Sequence, residues 1–278
     1  MISGKARIAG VMGWPVDHSR SPRLHNYWLD RHGIDAAYVP LAVAPETLEH
    51  AVRGLPALGF AGANVTIPHK EAVLPFLDQV DPAAERIGAV NTIVIKDGRL
   101  HGSNTDGFGF LENLKAGAPQ WRAEAGPAVI IGAGGAAKAV AWALIDAGVP
   151  TLRIVNRTAT RAEDLAAALG PKARAMVWES RADVLGEAAL LVNTSALGMT
   201  GQPGLDLDLA RLPATAVVND IVYQPLETPL LAAARTRGNT AVEGIGMLLH
   251  QGRPGFAAWF GVDPTVDASL RDYVLAGD

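Results

Sequence analysis

The sequence predicts an α/β protein of two domains, an N-terminal α/β domain with a mainly parallel sheet and a Rossmann-type domain. Three observations predict it. Short apolar runs alternate with amphipathic stretches along most of the chain, a glycine turn at 132–137 joins an apolar run to an alanine-rich one, and 278 residues suit two domains. Apolar residues make up 49% and charged residues 19%, a globular balance.

The first elements read as a strand at 6–12, a loop rich in Pro, Ser and His, a strand at 38–42, a helix near 45–54 and a strand at 62–66. Residues 89–96 and 99–103 form a hairpin, with Asp97-Gly98 supplying its tight turn. A helix covers roughly 108–114. The pattern restarts with a strand at 128–131 and a helix that runs to Asp146, with Gly148 as its cap, then a strand at 152–156. Strand-like runs recur at 189–193, 216–220 and 240–243. This βαβ succession marks 107–243 as one domain and 1–106 as another.

Composition excludes several classes. A formal net charge of −4 without a long basic run removes the footprint of a nucleic-acid binder. Cysteine is absent, which rules out disulfides, thiolate metal sites and a cysteine nucleophile. The histidines (His18, His25, His32, His50, His69, His101 and His250) lack the paired helical spacing of a metal site, so they read as surface or hydrogen-bonded residues and no metal is expected. Residues 1–8 lack the apolar core of a signal peptide, and no stretch approaches the length of a membrane span. The expectation is a cytoplasmic monomer or homodimer with a small-molecule substrate and no nucleic-acid or membrane partner.

The segment Gly132-Ala133-Gly134-Gly135-Ala136-Ala137 fits the dinucleotide fingerprint between a strand and a helix. The first glycine permits the turn, the second admits a pyrophosphate, and the small residue at 137 lets helix and strand pack. The plainer alternative is a tight turn with no ligand. At the end of the next strand an NAD enzyme would place Asp or Glu; here Asn156-Arg157-Thr158 stands, with Arg161 one turn on. A carboxylate would repel a 2′-phosphate and a guanidinium pairs with it, so NADP is the expected cofactor. Thr158 can also cap the following helix.

Three upstream clusters carry candidate substrate contacts. In Gly13-Trp14-Pro15-Val16-Asp17-His18-Ser19-Arg20-Ser21-Pro22, an extended loop would present Ser19 and Ser21 together and turn Arg20 away. The alternative is a helix start at Ser-Pro. In Asn64-Val65-Thr66-Ile67-Pro68-His69-Lys70, alternation places Asn64 and Thr66 together and the turn projects Lys70. The third is Asn104-Thr105-Asp106-Gly107, preceded by Gly88-Ala89-Val90-Asn91-Thr92, which also reads as a turn and helix cap.

Taken together, the runs at 13–25, 64–70, 88–92, 104–107, 132–139, 156–158, 193–199, 220–230 and 244–251 resemble the shikimate dehydrogenase family in order and across nearly the whole chain. One departure is Arg20, where the family commonly has an apolar residue. The resemblance implies NADP-dependent interconversion of 3-dehydroshikimate and shikimate in aromatic amino-acid biosynthesis. It implies that Ser19 and Ser21 hold the substrate carboxylate and that Asn64, Thr66, Asn91 and Gln251 bind ring hydroxyls. Tyr223 would reach toward the carboxylate, Lys70 and Asp106 would be the catalytic pair, and Gly244 and Met247 would join the cofactor residues. It also implies a cleft between the two domains and returns the C-terminal stretch, 244–278, to the first domain, which periodicity left open.

Chemically, a lysine charged at neutral pH suits donation to a developing alkoxide, and an adjacent carboxylate would favour its ammonium form. A quinate-accepting paralogue using NAD is the nearest alternative, against which Arg157 argues. A silent nucleotide-binding sensor on the same fold would be expected to lack Lys70 or Asp106, and both are present.

Overall fold

The computed structural model describes residues 2–276. In chain order the elements are β1 (Arg7–Gly13), α1 (Ser21–Arg31), β2 (Ala36–Ala42), α2 (Leu48–Gly54), β3 (Phe60–Val65), α3 (His69–Ala72), β4 (Gln79–Val80), α4 (Pro82–Ile87), β5 (Thr92–Lys96) and β6 (Arg99–Ser103). Then come α5 (Asp106–Gly117), β7 (Ala128–Ile131), α6 (Gly135–Asp146), β8 (Leu152–Val155), α7 (Ala159–Leu169), β9 (Ala173–Met176), β10 (Leu190–Asn193) and β11 (Val217–Asp220). The chain closes with α8 (Pro229–Thr236), β12 (Thr240–Val242), α9 (Ile245–Phe260) and α10 (Ala268–Leu275).

These elements form two compact units, Met1–Thr105 with Leu248–Asp278, and Asp106–Met247. The division falls at 105/106 and within α9, where 106/107 and 243/244 were expected. The first turn of α9 belongs to the second unit because Met247 lies in that unit's core and Gly246 packs against the Asn113 side chain.

The first unit holds the sheet β2-β1-β3-β5-β6-β4. β1 runs parallel to β2 and β3, and β4 runs parallel to β6; β5 is antiparallel to both its neighbours. Its hairpin turn puts Asp97 (φ 51°) and Gly98 (φ 73°) in the left-handed region, as a two-residue loop between right-twisted strands requires. An aliphatic core of Met12, Leu48, Val52, Val65 and Ile93 includes residues of α2. Trp28 and His25 of α1 meet an aromatic cluster with Tyr38, Phe256 and Trp259. Trp259 Nε1 donates to the Ile93 carbonyl at 2.9 Å, and only glycine fits at 62 because a Cβ there would collide with that carbonyl and the indole nitrogen.

The second unit holds β12-β11-β10-β7-β8-β9, all parallel. β7, β10 and β11 are buried throughout; β7 is a continuous apolar run, while β10 and β11 begin apolar and end on the buried polar residues Asn193, Asn219 and Asp220. Phe110, Leu114, Val140, Leu144 and Leu165 of α5, α6 and α7 share one core; Leu230 and Leu231 of α8 share another with Leu191 and Val218. Covering both faces makes this the doubly wound arrangement, with its order reversing between β7 and β10.

Candidate active site

In the first unit, a buried polar network runs across β3, β5 and the loop before α5. Asn64 on β3 donates from Nδ2 to the Asn91 carbonyl (3.0 Å) and to Thr92 Oγ1 (3.2 Å). Asn91 Oδ1 accepts from Thr92 Oγ1 and from the Thr105 amide, both at 2.9 Å. Its Nδ2 donates to Thr105 Oγ1 (3.0 Å) and, at 3.4 Å, to Gln251 Oε1 on α9. Thr105 Oγ1 bonds the Gln251 carbonyl at 2.9 Å. Three of the expected ring-hydroxyl residues, Asn64, Asn91 and Gln251, thus share one network. Thr66 sits just past β3, half-buried, its methyl packed on Gly13.

Thr92 and Thr105 are the network residues that sequence reasoning missed. Both fall in the matched runs, yet a lone hydroxyl gives no sequence signal; only the fold brings residues 14 to 160 positions apart into contact. Asn104 likewise ties the preceding loop, donating to the Ala89 carbonyl at 3.0 Å.

The Ser19–Ser21 segment corrects an expectation. It is not extended: Arg20 has helical angles (φ −85°, ψ −3°) as the N-cap of α1, with Pro22 in the first turn. The Ser-Pro helix start therefore prevails, because proline fits that turn and has no N–H to leave unsatisfied. The two residues are joined through the backbone of one, the Ser21 amide donating to Ser19 Oγ at 3.3 Å. Arg20 does point away: its guanidinium is buried and donates to the Val274 carbonyl at 2.7 Å. It is a tether for α10.

Lys70 lies half-buried at the start of α3, where its carbonyl accepts from the Val90 amide at 2.8 Å. Neighbouring His69 is buried, Nε2 2.7 Å from the Val43 carbonyl, a satisfied core histidine. His18 is exposed. His25 departs from the expected surface or hydrogen-bonded pattern. It is wholly buried in the aromatic cluster, and Asn64 is nearby but not in hydrogen-bond geometry with either ring nitrogen. Burial pushes its imidazole down to about 3, so it is neutral.

In the second unit, Asp106 is buried as the first residue of α5. The glycine turn follows β7. Gly132 (φ 118°) has a conformation side chains rarely adopt, and a Cβ there would press on Thr194 Oγ1 at 2.6 Å. Gly134 and Gly135 face open space at the N-terminus of α6, whose N-cap Gly134 makes no side-chain cap bond; Ala133 is buried, and Ala136 half-buried. Bare amides before a twelve-residue helix, at the reversal in strand order, suit a pyrophosphate.

Past β8, Asn156 Nδ2 donates to the Thr158 carbonyl at 2.9 Å. Thr158 is the N-cap of α7 without a side-chain cap bond, and Arg157 and Arg161 are exposed with no acidic partner among the described residues. These side chains fit a phosphorylated ribose. Gly244 is demanded by packing, since a Cβ would collide with the Ile221 and Val222 carbonyls; Met247 is buried in the unit's core. Tyr223 is half-buried in the loop after β11. Asp220 anchors that loop, accepting from Val222 N and Asn193 Nδ2, both at 3.0 Å. Burial raises its carboxyl above the ordinary value, against the pull of hydrogen bonds from Thr228, Val222 and Asn193.

An all-parallel sheet of this order with an open glycine turn defines the class of two-domain α/β proteins with a dinucleotide-binding fold. Residues 11–93 match the family model of the shikimate dehydrogenase substrate binding domain, and residues 119–197 that of shikimate / quinate 5-dehydrogenase. The chain is 62% identical to a shikimate dehydrogenase (NADP(+)) of Paramagnetospirillum magneticum, covering 99% of this chain and 100% of that one. Among solved structures, it resembles shikimate 5-dehydrogenase of Thermus thermophilus in complex with NADP(H) and shikimate (TM-score 0.87, 38% identity, 97% and 99% of the two chains). It also resembles quinate dehydrogenase of Corynebacterium glutamicum in complex with NAD (TM-score 0.91, 33% identity, 98% and 99%). The chain belongs to the shikimate dehydrogenase family.

Proposed function

We propose that this chain is an NADP-dependent shikimate dehydrogenase, an oxidoreductase that reversibly reduces 3-dehydroshikimate to shikimate in aromatic amino-acid biosynthesis, acting in the cytoplasm. The observation that carries the reading is the buried network joining Asn64, Asn91 and Gln251, in a chain 62% identical over its length to a protein of that name. Amides and hydroxyls at hydrogen-bonding distance suit a polyhydroxylated ring.

NADPH, when bound, supplies the hydride. The chain's residues do the rest. Ser19 and Ser21 hold the carboxylate, helped by Tyr223, while Asn64, Thr66, Asn91 and Gln251 take the ring hydroxyls. Lys70 polarises the ketone and gives the developing alkoxide its proton, and Asp106 is the acidic member of the catalytic pair. Gly132, Ala133, Gly134, Gly135 and Ala136 receive the pyrophosphate; Asn156, Arg157, Thr158 and Arg161 receive the 2′-phosphate end, and Gly244 and Met247 complete the cofactor side.

The test is steady-state oxidation of shikimate and quinate side by side, each with NADP and with NAD. Shikimate with NADP should be the preferred pair. The likeness to the quinate enzyme in complex with NAD favours a second reading. Preference for quinate with NAD would establish it and overturn the first.

A further inference from the structure

Tyr38, on β2, stands outside the residues expected to touch a ligand, yet it is held from three sides. Asn26 on α1 clamps its backbone, donating to the Tyr38 carbonyl at 2.9 Å and accepting from its amide at 3.1 Å. Its buried ring stacks on His25, with centroids 4.0 Å apart and planes 10° from parallel. Its hydroxyl lies 2.6 Å from Asn64 Oδ1.

The polarity of that last bond is determined. One oxygen beside the Asn64 amide is the Asn91 carbonyl, which only accepts. The amide nitrogen must face it, so Oδ1 must face Tyr38, and the phenol must donate. Burial raises the Tyr38 phenol well above its usual value, against a smaller pull from the Ser21 side chain, so the proton stays on the oxygen at neutral pH. Both N–H groups of Asn64 are then spent on Asn91 and Thr92, and one lone pair of Oδ1 on Tyr38. One acceptor position remains.

We infer that Tyr38 is a positioning residue for the substrate side: it fixes the Asn64 amide so that Asn64 meets a ring hydroxyl as an acceptor only. This rests on the reading that Asn64 contacts the substrate ring. Tyr38 itself touches no substrate; it acts through Asn64.

Tyr38→Phe deletes the donor and keeps the stack on His25. In shikimate oxidation with NADP, the KM for shikimate should rise about tenfold, with kcat and the KM for NADP changed by about twofold or less. In an Asn64→Ala background, adding Tyr38→Phe should change the shikimate KM by less than about twofold, since the residue it acts through is gone. A shikimate KM near wild type in the folded single variant overturns the inference. So does an equal rise in the NADP KM, full additivity with Asn64→Ala, or loss of the native circular-dichroism spectrum, which would make Tyr38 a residue of the fold. If the wild-type protein itself fails to oxidise shikimate, it is the functional reading that has failed, and the inference falls with it.

Discussion

The Thr228 hydroxyl donates to Asp220 Oδ2 at 2.7 Å, and the same oxygen accepts from the Leu231 amide at 3.3 Å as the N-cap of α8. One side chain therefore closes the loop that carries Tyr223 and begins the helix after it. Thr228→Ala loses both bonds and leaves a buried carboxylate short of a donor. It should cost about 2 kcal/mol in urea unfolding, while Thr228→Ser, which keeps the hydroxyl, should cost about 0.5 kcal/mol or less. Equal losses in the two variants would assign the effect to the methyl group's packing.

His25 sets a pH dependence of stability. Its folded value, about 3, lies below the ordinary 6.5, so between those values the unfolded chain binds a proton that the native state refuses. This contribution is fully present above 6.5 and is lost as the pH falls toward 3, at a limiting slope of about 1.4 kcal/mol per pH unit. From pH 6.5 to 5 the loss is about 2 kcal/mol. His25→Phe, which retains an aromatic ring beside Tyr38 and Trp28, should flatten that part of the profile in chemical denaturation at the two pH values. An unchanged difference between them would place the acid sensitivity elsewhere.

Cofactor choice follows from the end of β8, where Arg157 is exposed without an acidic partner among the described residues. A charge-assisted contact to phosphate is worth about 1.5–3 kcal/mol, so Arg157→Ala should raise the KM for NADP about tenfold or more. The KM for NAD, which has no 2′-phosphate, should change little. Wild-type kinetics that prefer NAD would refute the assignment.

Lys70 carries the proton-transfer claim. Lys70→Ala should lower kcat for shikimate oxidation by roughly 10²–10⁴ with a smaller effect on substrate affinity, since its charge matters most as negative charge builds on the oxygen. Asp106→Asn should also slow turnover, and the double variant should fall far short of additivity. A loss under about threefold in a folded Lys70→Ala protein would mark the lysine as an ordinary helix-start residue.

Much of the fold was legible because its signals are local. β7 was placed at 128–131 from its apolar run alone, and Asp97-Gly98 announced the hairpin through residues that tolerate positive φ. β9 was not legible: Ala173–Met176 is a short edge strand with no buried side chain, and its alanines favour a helix as much as a strand. The extended backbone expected to pair Ser19 with Ser21 fails at Arg20, whose helical angles belong to the Ser-Pro helix start that follows it. The network residues Tyr38, Thr92 and Thr105 were invisible because hydrogen bonding across strands depends on register, which a single sequence does not display. The residues expected on the phosphate side lie in contiguous motifs, a glycine turn and a strand-end arginine, which a single sequence does display.

The Trp259 indole that seals over Gly62 follows the whole of the second unit in sequence. A nascent chain that has emerged as far as Met247 contains the whole of the second unit, but it lacks Phe256, Trp259 and the helix that receives the Arg20 tether. His25, Trp28 and Tyr38, of which His25 touches both others, lack until then the rings of Phe256 and Trp259. Although a leading domain usually folds first during translation, the first unit here cannot complete its aromatic core until residues beyond the second unit have been made.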